Sequence, residues 1–210
     1  MTLTDLHTHN PTCEAGTTGI INCGTTPITG APCSVGIHPW DITAAWENSL
    51  EAIRKAVQRS NVVAIGECGI DKLKSPADTE TQTEILAAHA RIAEEAEKPL
   101  ILHCVKGQEE IIKLHRSIKP KQAWIIHGFR GKPAQARQLL HEGFFLSFGA
   151  AFNPESLAAT PADRLFIESD TVTTRLEDIY KAAALCRGTS IEELAATVAE
   201  NFKRCNINIL

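Results

Sequence analysis

The chain has 210 residues, a formal net charge of −4 and a pI near 6.1, with 43% apolar and 22% charged residues. That balance supports a sizeable folded core and excludes a disordered chain. It also lacks the basic footprint that dominates affinity for duplex nucleic acid, although bound divalent cations would supply local positive charge to a nuclease. The seven cysteines are odd in number and form no C-x-x-C pair, which argues against a disulfide framework and against thiolate zinc sites. The start carries no secretory pattern and no apolar stretch is long enough to span a bilayer, so the expectation is a cytoplasmic protein without a membrane contact.

The chain opens with "LTDLHTH", where Asp5, His7 and His9 alternate. On a β-strand, residues two apart share one face, so this is either a metal chelate or a polar N-terminus with two imidazoles. Further short apolar runs follow: "GIINCG", "SVGIHPW", "VVAIGECG", "PLILHCV", "AWIIHGF", "FFLSFG" and "RLFIESD". Several are apolar nearly throughout, as in parallel strands buried on both faces. Helix-period segments separate most of them. "TAAWENSLEAIRKAVQRS" starts at Thr43 as an N-cap, and "TETQTEILAAHARIAEEAEK" stops at Pro99. "QEEIIKLHRSI" ends before Pro120, and "KPAQARQLLHEG" has Pro133 near its first turn and Gly143 after its last. Two amphipathic segments close the chain, the second with a Ser190/Glu193 capping-box pattern.

Strands alternating with helices imply right-handed βαβ units and a parallel sheet. Eight strands predict an α/β fold of the (β/α)8 TIM-barrel type, as one domain over residues 1–210. The chain is short for that fold, and the deficit has a place. Only "NPTCEAGTT" and "TTPITGAPC" join the first three strands, so the first two crossover helices are expected to be short or missing.

Active-site groups of parallel barrels sit at the C-terminal ends of strands. Here those ends carry His7 and His9, His38, Glu67, His103, His127 and Asp170. Each is a poor core residue without a partner. A lone histidine after an apolar run could be a satisfied core residue, but the set is hard to read that way. His89, His115 and His141 fall in helical segments and read as structural or solvated. Trp40 reads as wall or core, and Asp71 as a loop residue or a support behind the ligands. The histidines and carboxylates exceed what one zinc needs. They suit two divalent ions that share a carboxylate, activate a water and clamp the oxygens of a hydrolysed phosphate or amide. Zn, Mn, Fe or Ni fit the mixed nitrogen and oxygen donors, with Mg at an oxygen-rich half.

The motifs "DLHTH", "VGIHPW", "IGECGID", "LILHC", "IHGFRG" and "FIESD", in this order, resemble the TatD family of metal-dependent deoxyribonucleases, within the amidohydrolase-like barrels. The closing "SIEELAATVAENFKR" resembles the family's last helix. The resemblance implies phosphodiester hydrolysis, trimming DNA ends. By motif, His7, His9 and Asp170 would bind one metal, Glu67 would bridge, and His103 and His127 would bind the second. Asp170 would also take the proton of the attacking water. His38 would contact phosphate or orient the nucleophile. The chain departs from the family at Val105, where an arginine is usual, at Lys72, where an aromatic residue is usual, and after Asp170, where "TVTTRLEDIY" replaces a proline-containing segment. The metal set is intact while the substrate loops are cut back. A small phosphoester or cyclic amide is therefore the alternative substrate to DNA. A polymerase-and-histidinol-phosphatase type is disfavoured, since no histidine has aspartate two residues later. A non-catalytic metal-stabilised binding protein would need a lost ligand, and none is missing. No obligate protein partner is evident.

Overall fold

The computed structural model describes residues 2–209. Eight strands form one sheet in sequential order: β1 (Leu3–Thr8), β2 (Thr17–Asn22), β3 (Cys33–Val35), β4 (Val62–Asp71), β5 (Leu100–Val105), β6 (Trp124–Ile126), β7 (Phe145–Phe148) and β8 (Leu165–Ile167). The pairs β1/β2, β3/β4, β4/β5 and β7/β8 are parallel, and a further parallel bridge joins Thr8 to Asp170. This is the predicted (β/α)8 class. Every residue of β4 is buried, as expected of a strand covered on both faces.

The helices are α1 (Trp46–Ala56), α2 (Thr79–Glu95), α3 (Gln108–Ile118), α4 (Pro133–His141), α5 (Pro154–Ala159), α6 (Leu176–Arg187) and α7 (Ile191–Arg204). Ser190 and Glu193 form the expected capping box on α7. Thr43 does not cap α1. Its Oγ accepts from Ala45 N–H and its carbonyl from Trp46 N–H, closing a turn ahead of a helix that begins at Trp46. Helix α5 was not predicted; Asn153 caps it through Ser156 N–H and Pro154 occupies its first turn. Between β1 and β2, and between β2 and β3, the described residues form only turns and bends, so the barrel lacks its first two crossover helices as predicted.

Cα packing divides the chain into two compact units, Met1–Ile21 with Ile126–Leu210, and Asn22–Ile125. In the first, Phe166 lies between Phe145 and Phe202, with ring centroids at 5.9 and 5.3 Å. Buried Tyr180 donates to Thr4 O at 2.7 Å, tying α6 to β1. In the second, Ile53, Ile65, Leu86 and Leu100 to Leu102 are buried between α1, α2 and the strands. The Asn61 amide donates to Ile28 O and Ala31 O, both at 2.9 Å. These bonds satisfy loop carbonyls that a crossover helix would otherwise have paired. No helix among the described residues is long and apolar enough to cross a membrane.

Candidate metal centre

In the first unit, His7 comes from β1 and His9 from just beyond it. Backbone bonds run from Asp170 N–H to His7 O (2.9 Å) and from His9 N–H to Asp170 O (3.0 Å), which set these three residues side by side. Asp170 adopts φ +54°, a left-handed conformation for which aspartate is among the more tolerant residues. The two Nε2 atoms lie 3.3 Å apart, and each faces Asp170 Oδ1, at 3.9 Å from His7 and 3.7 Å from His9. Metal–ligand bonds of ~2.0–2.2 Å at a tetrahedral angle put ligand atoms ~3.3–3.6 Å apart. The set is close to that spacing, and two imidazole nitrogens facing one another call for a cation or proton between them. His7 is fully buried and His9 is 40% exposed, so the set has a dry side and an open side.

His127 packs its ring 4.5 Å from that of His7. Glu168, fully buried, accepts from Gly128 N–H at 2.6 Å and faces His127 Nδ1 at 3.2 Å. A carboxylate at Nδ1 makes that nitrogen the donor and leaves Nε2 as the ligating atom. Burial alone would raise the Glu168 carboxyl, but the charge and hydrogen bond of His127 outweigh it and hold the group below its ordinary value. Asp5 does not point into the His7–His9–Asp170 set. The β1/β2 register shifts between Asp5 and Thr8, which breaks strict alternation. Its carboxylate accepts instead from Ser169 N–H (2.9 Å) and Ser169 Oγ–H (2.6 Å). Burial pushes it up to about 7, with the Ser169 bonds opposing.

In the second unit, Glu67 lies inside β4 rather than at its end. Gly66 and Gly69 flank it at φ +134° and +143°. A Cβ on either would stand 2.4 Å from Ile101 O or 2.1 Å from His103 O, so only glycine lets β4 run this close to β5. Glu67 is buried, and its Oε1 lies 2.8 Å from His103 Nδ1 and 3.2 Å from His38 Nε2, which are themselves 3.3 Å apart. Its Oε2 accepts from the Asn22 amide at 3.3 Å, and Asn22 Oδ1 accepts Glu67 N–H at 3.3 Å.

Hydrogen bonds assign the protons. His38 Nδ1 accepts Trp40 N–H at 3.1 Å, so its neutral ring carries the proton on Nε2 and presents a donor. Coordination through Nε2 would require breaking that bond. His38, three residues beyond β3, is thus placed beside Glu67 and His103 as a hydrogen-bond donor. His103 is the reverse case. Asp71 Oδ2 lies 3.2 Å from its Nε2, which makes Nε2 the donor and turns the Nδ1 lone pair toward Glu67. Two acceptors 2.8 Å apart need a cation or proton between them. Burial would raise Asp71, but hydrogen bonds from Trp40, Leu73, His103 and Lys74 outweigh it and hold the carboxyl below its ordinary value.

The sequence-predicted residues therefore fall into two groups. His7, His9, His127 and Asp170 gather in one unit, and His38, Glu67 and His103 in the other. Sequence reasoning missed Asn22 and Glu168, each polar at the end of an apolar strand run. Trp40, read as wall or core, is wall: its ring is half-exposed beside His38 and His103, and its N–H bonds Asp71 at 2.6 Å. His89, read as structural or solvated, is fully buried. It donates through Nδ1 to Ile85 O (2.8 Å) and accepts Ile37 N–H on Nε2 (3.0 Å), fixing the approach to His38.

The family model described as TatD related DNase matches residues 26–206. The chain is 26% identical over 230 residues to the 3'-5' ssDNA/RNA exonuclease TatD of Erwinia tasmaniensis, covering 91% of this chain and 89% of that one. It is 28% identical to the uncharacterized metal-dependent hydrolase YcfH of Escherichia coli, over 81% of this chain and 72% of the other. Among solved structures, YjjV, a TatD homolog from Escherichia coli, superposes with a TM-score of 0.83 at 19% identity over 97% of both chains. A TatD family hydrolase from Entamoeba histolytica gives 0.76 at 16% identity over 98% of both. With its ordered motifs, its fold and its match over most of its length, the chain belongs to the TatD-related DNase family and is a metal-dependent hydrolase of that type.

Proposed function

We propose that the protein hydrolyses phosphodiester bonds with two divalent ions, Zn, Mn or Mg, and trims the ends of single-stranded nucleic acid. The observation that carries this reading is the pair of convergent donor sets, each within its own unit: His7–His9–Asp170, close to metal-like spacing, and Glu67–His103, whose facing acceptors lie 2.8 Å apart and call for a cation or proton between them. When bound, the ions would polarise the phosphate and raise the acidity of the attacking water. His7 and His9 would hold one through Nε2, with Asp170. His127 would offer Nε2 beside that set within the same unit, and in the other unit Glu67 and His103, through Nδ1, would hold the second. Asp170, on the open side of its set, accepts the proton from the water as it attacks phosphorus. His38 keeps its Nε2–H as a donor to a phosphate oxygen and so orients the substrate. The seven free cysteines support a reducing compartment such as the cytoplasm.

The nucleic-acid substrate is supported by the similarity to the 3'-5' ssDNA/RNA exonuclease of Erwinia tasmaniensis. A small phosphoester or cyclic amide is the second reading, favoured by the two connections without helices, which leave less surface to hold a polymer. Parallel turnover assays with Mn or Zn on single-stranded DNA, RNA and small phosphoesters test both. Release of nucleotides from DNA or RNA ends is the expected result. Turnover of small esters or amides alone overturns the nuclease reading, and no turnover of any ester overturns the phosphodiesterase reading altogether.

A further inference from the structure

We propose that Asp71 is the positioning residue of the Glu67–His103 set and that it works by fixing which nitrogen of His103 carries the proton. The inference rests on the metal reading above. Asp71 is buried, and four N–H groups meet its carboxylate. Leu73 N–H (2.8 Å) and Lys74 N–H (3.0 Å) donate to Oδ1. The Trp40 indole N–H (2.6 Å) and the His103 Nε2 (3.2 Å) face Oδ2. Three of these four are fixed donors. The fourth, the imidazole, is the only one that can reverse its role by changing tautomer. A full carboxylate accepts from all four and so removes the alternative. His103 must carry its proton on Nε2 and leave Nδ1 bare on the side of Glu67. Trp40 adds to this by pinning the carboxylate from outside, with its ring 5.9 Å from that of His103.

An asparagine in this place makes the logic testable. If its NH2 group faced Leu73 and Lys74, two backbone donors would be unmatched. If it faced Trp40 and His103, the imidazole could relieve half of the conflict by moving its proton to Nδ1. The second arrangement leaves fewer donors unmatched, so Asp71→Asn drives His103 into the tautomer that cannot ligate through Nδ1. Asp71→Ala removes the acceptor without imposing a wrong tautomer. The near-isostere is therefore the more damaging change, the reverse of what a space-filling role produces.

The experiment measures equilibrium Zn2+ affinity of the full chain for wild type, Asp71→Asn and Asp71→Ala, with thermal melting alongside. Loss of a carboxylate that orients a metal-binding histidine costs on the order of 10–100-fold in metal affinity. The expected result is a loss of that size in Asp71→Asn and a smaller one in Asp71→Ala. Equal affinities in all three proteins, or a larger loss in alanine than in asparagine, overturn the inference while leaving the metal reading intact. A wild type that binds no Zn2+ overturns both. Nitrogen-15 NMR of the histidine rings gives an answer independent of variant folding. Zinc-loaded wild type must show His103 protonated on Nε2, and protonation on Nδ1 overturns the proposal.

Discussion

In the unit formed by Met1–Ile21 and Ile126–Leu210, Glu168 faces His127 at Nδ1, so that Nε2 is the nitrogen left to ligate. In the unit Asn22–Ile125, Asp71 holds His103 at Nε2 and turns Nδ1 toward Glu67. The two units thus solve one problem with opposite nitrogens. The donor atoms of the first are spread over 3.3–3.9 Å and include the partly exposed His9. Those of the second lie 2.8–3.3 Å apart and are walled in by Asn22, Trp40 and Asp71. The difference teaches that a buried carboxylate behind a histidine, rather than the histidine's place in the sequence, decides which lone pair is offered. It also separates an open set, suited to a water and a departing proton, from a rigid one, suited to holding charge.

The sharpest way to break the comparison is to disable one set at a time. Glu67→Gln removes charge from the rigid set and Asp170→Asn from the open one. Each should lower ester turnover on the order of 10²–10³-fold with little change in melting temperature. Phosphodiester turnover at saturating Mn2+ checks this, and near-wild-type activity in either variant would show that its set is dispensable. Only the second unit carries the His89 clamp, so acid should weaken it selectively. Burial lowers His89 from 6.5 to about 4. A folded-state pKa below the unfolded one favours the neutral ring, so its contribution is complete above pH 6.5. It is lost as pH falls toward 4, by on the order of 3 kcal/mol. Asp5, pushed up to about 7, gains stability over the same range and opposes this loss in the whole chain. The readout is therefore the difference between proteins: the gap in unfolding free energy between wild type and His89→Gln at pH 7 should shrink at pH 4. Parallel pH profiles in the two proteins would discard the clamp.

Smaller effects should sharpen the picture. Glu168→Gln keeps an oxygen for Gly128 and His127 but loses the charge. A drop on the order of 10-fold in metal affinity is expected, at the lower end for a group supporting a ligand, read by competition with a chelating dye. No change would mean that the two backing carboxylates are not equivalent. His38→Ala should be mildest, with turnover falling roughly 10-fold or less, below the usual cost of a fully preorganised donor, and with metal content unchanged. Loss of bound metal in that variant would contradict its role as a donor.

Much of this was legible because polar side chains at the ends of apolar strands are costly unless they serve a site. His103 in "LILHC" and His127 in "IIHGF" stand out on that ground, and the helix-free connections follow from their length alone. Other features were invisible for physical reasons. Helix α5 is six residues long, too short for a helical period to show. The register shift between Asp5 and Thr8 overrides the alternation that had put Asp5 beside His7 and His9. Asn22 and Glu168 act through residues distant in sequence, and no local pattern distinguishes a carboxylate behind a ligand from a ligand; Asp71 was expected as a loop residue or a support, and it faces His103 Nε2 at 3.2 Å. The half-exposed Trp40 ring is set by its hydrogen bond to Asp71 and by Lys74, 4.4 Å over its face, again long-range facts.

The central claim is that each unit supplies its own donors to a pair of ions. Counting Zn2+ bound per chain at equilibrium tests it most directly, in wild type, His9→Ala and His103→Ala. The account predicts two ions in wild type and one in each variant, with the fold retained by thermal melting. One ion or none in wild type, or two in either variant, would contradict it.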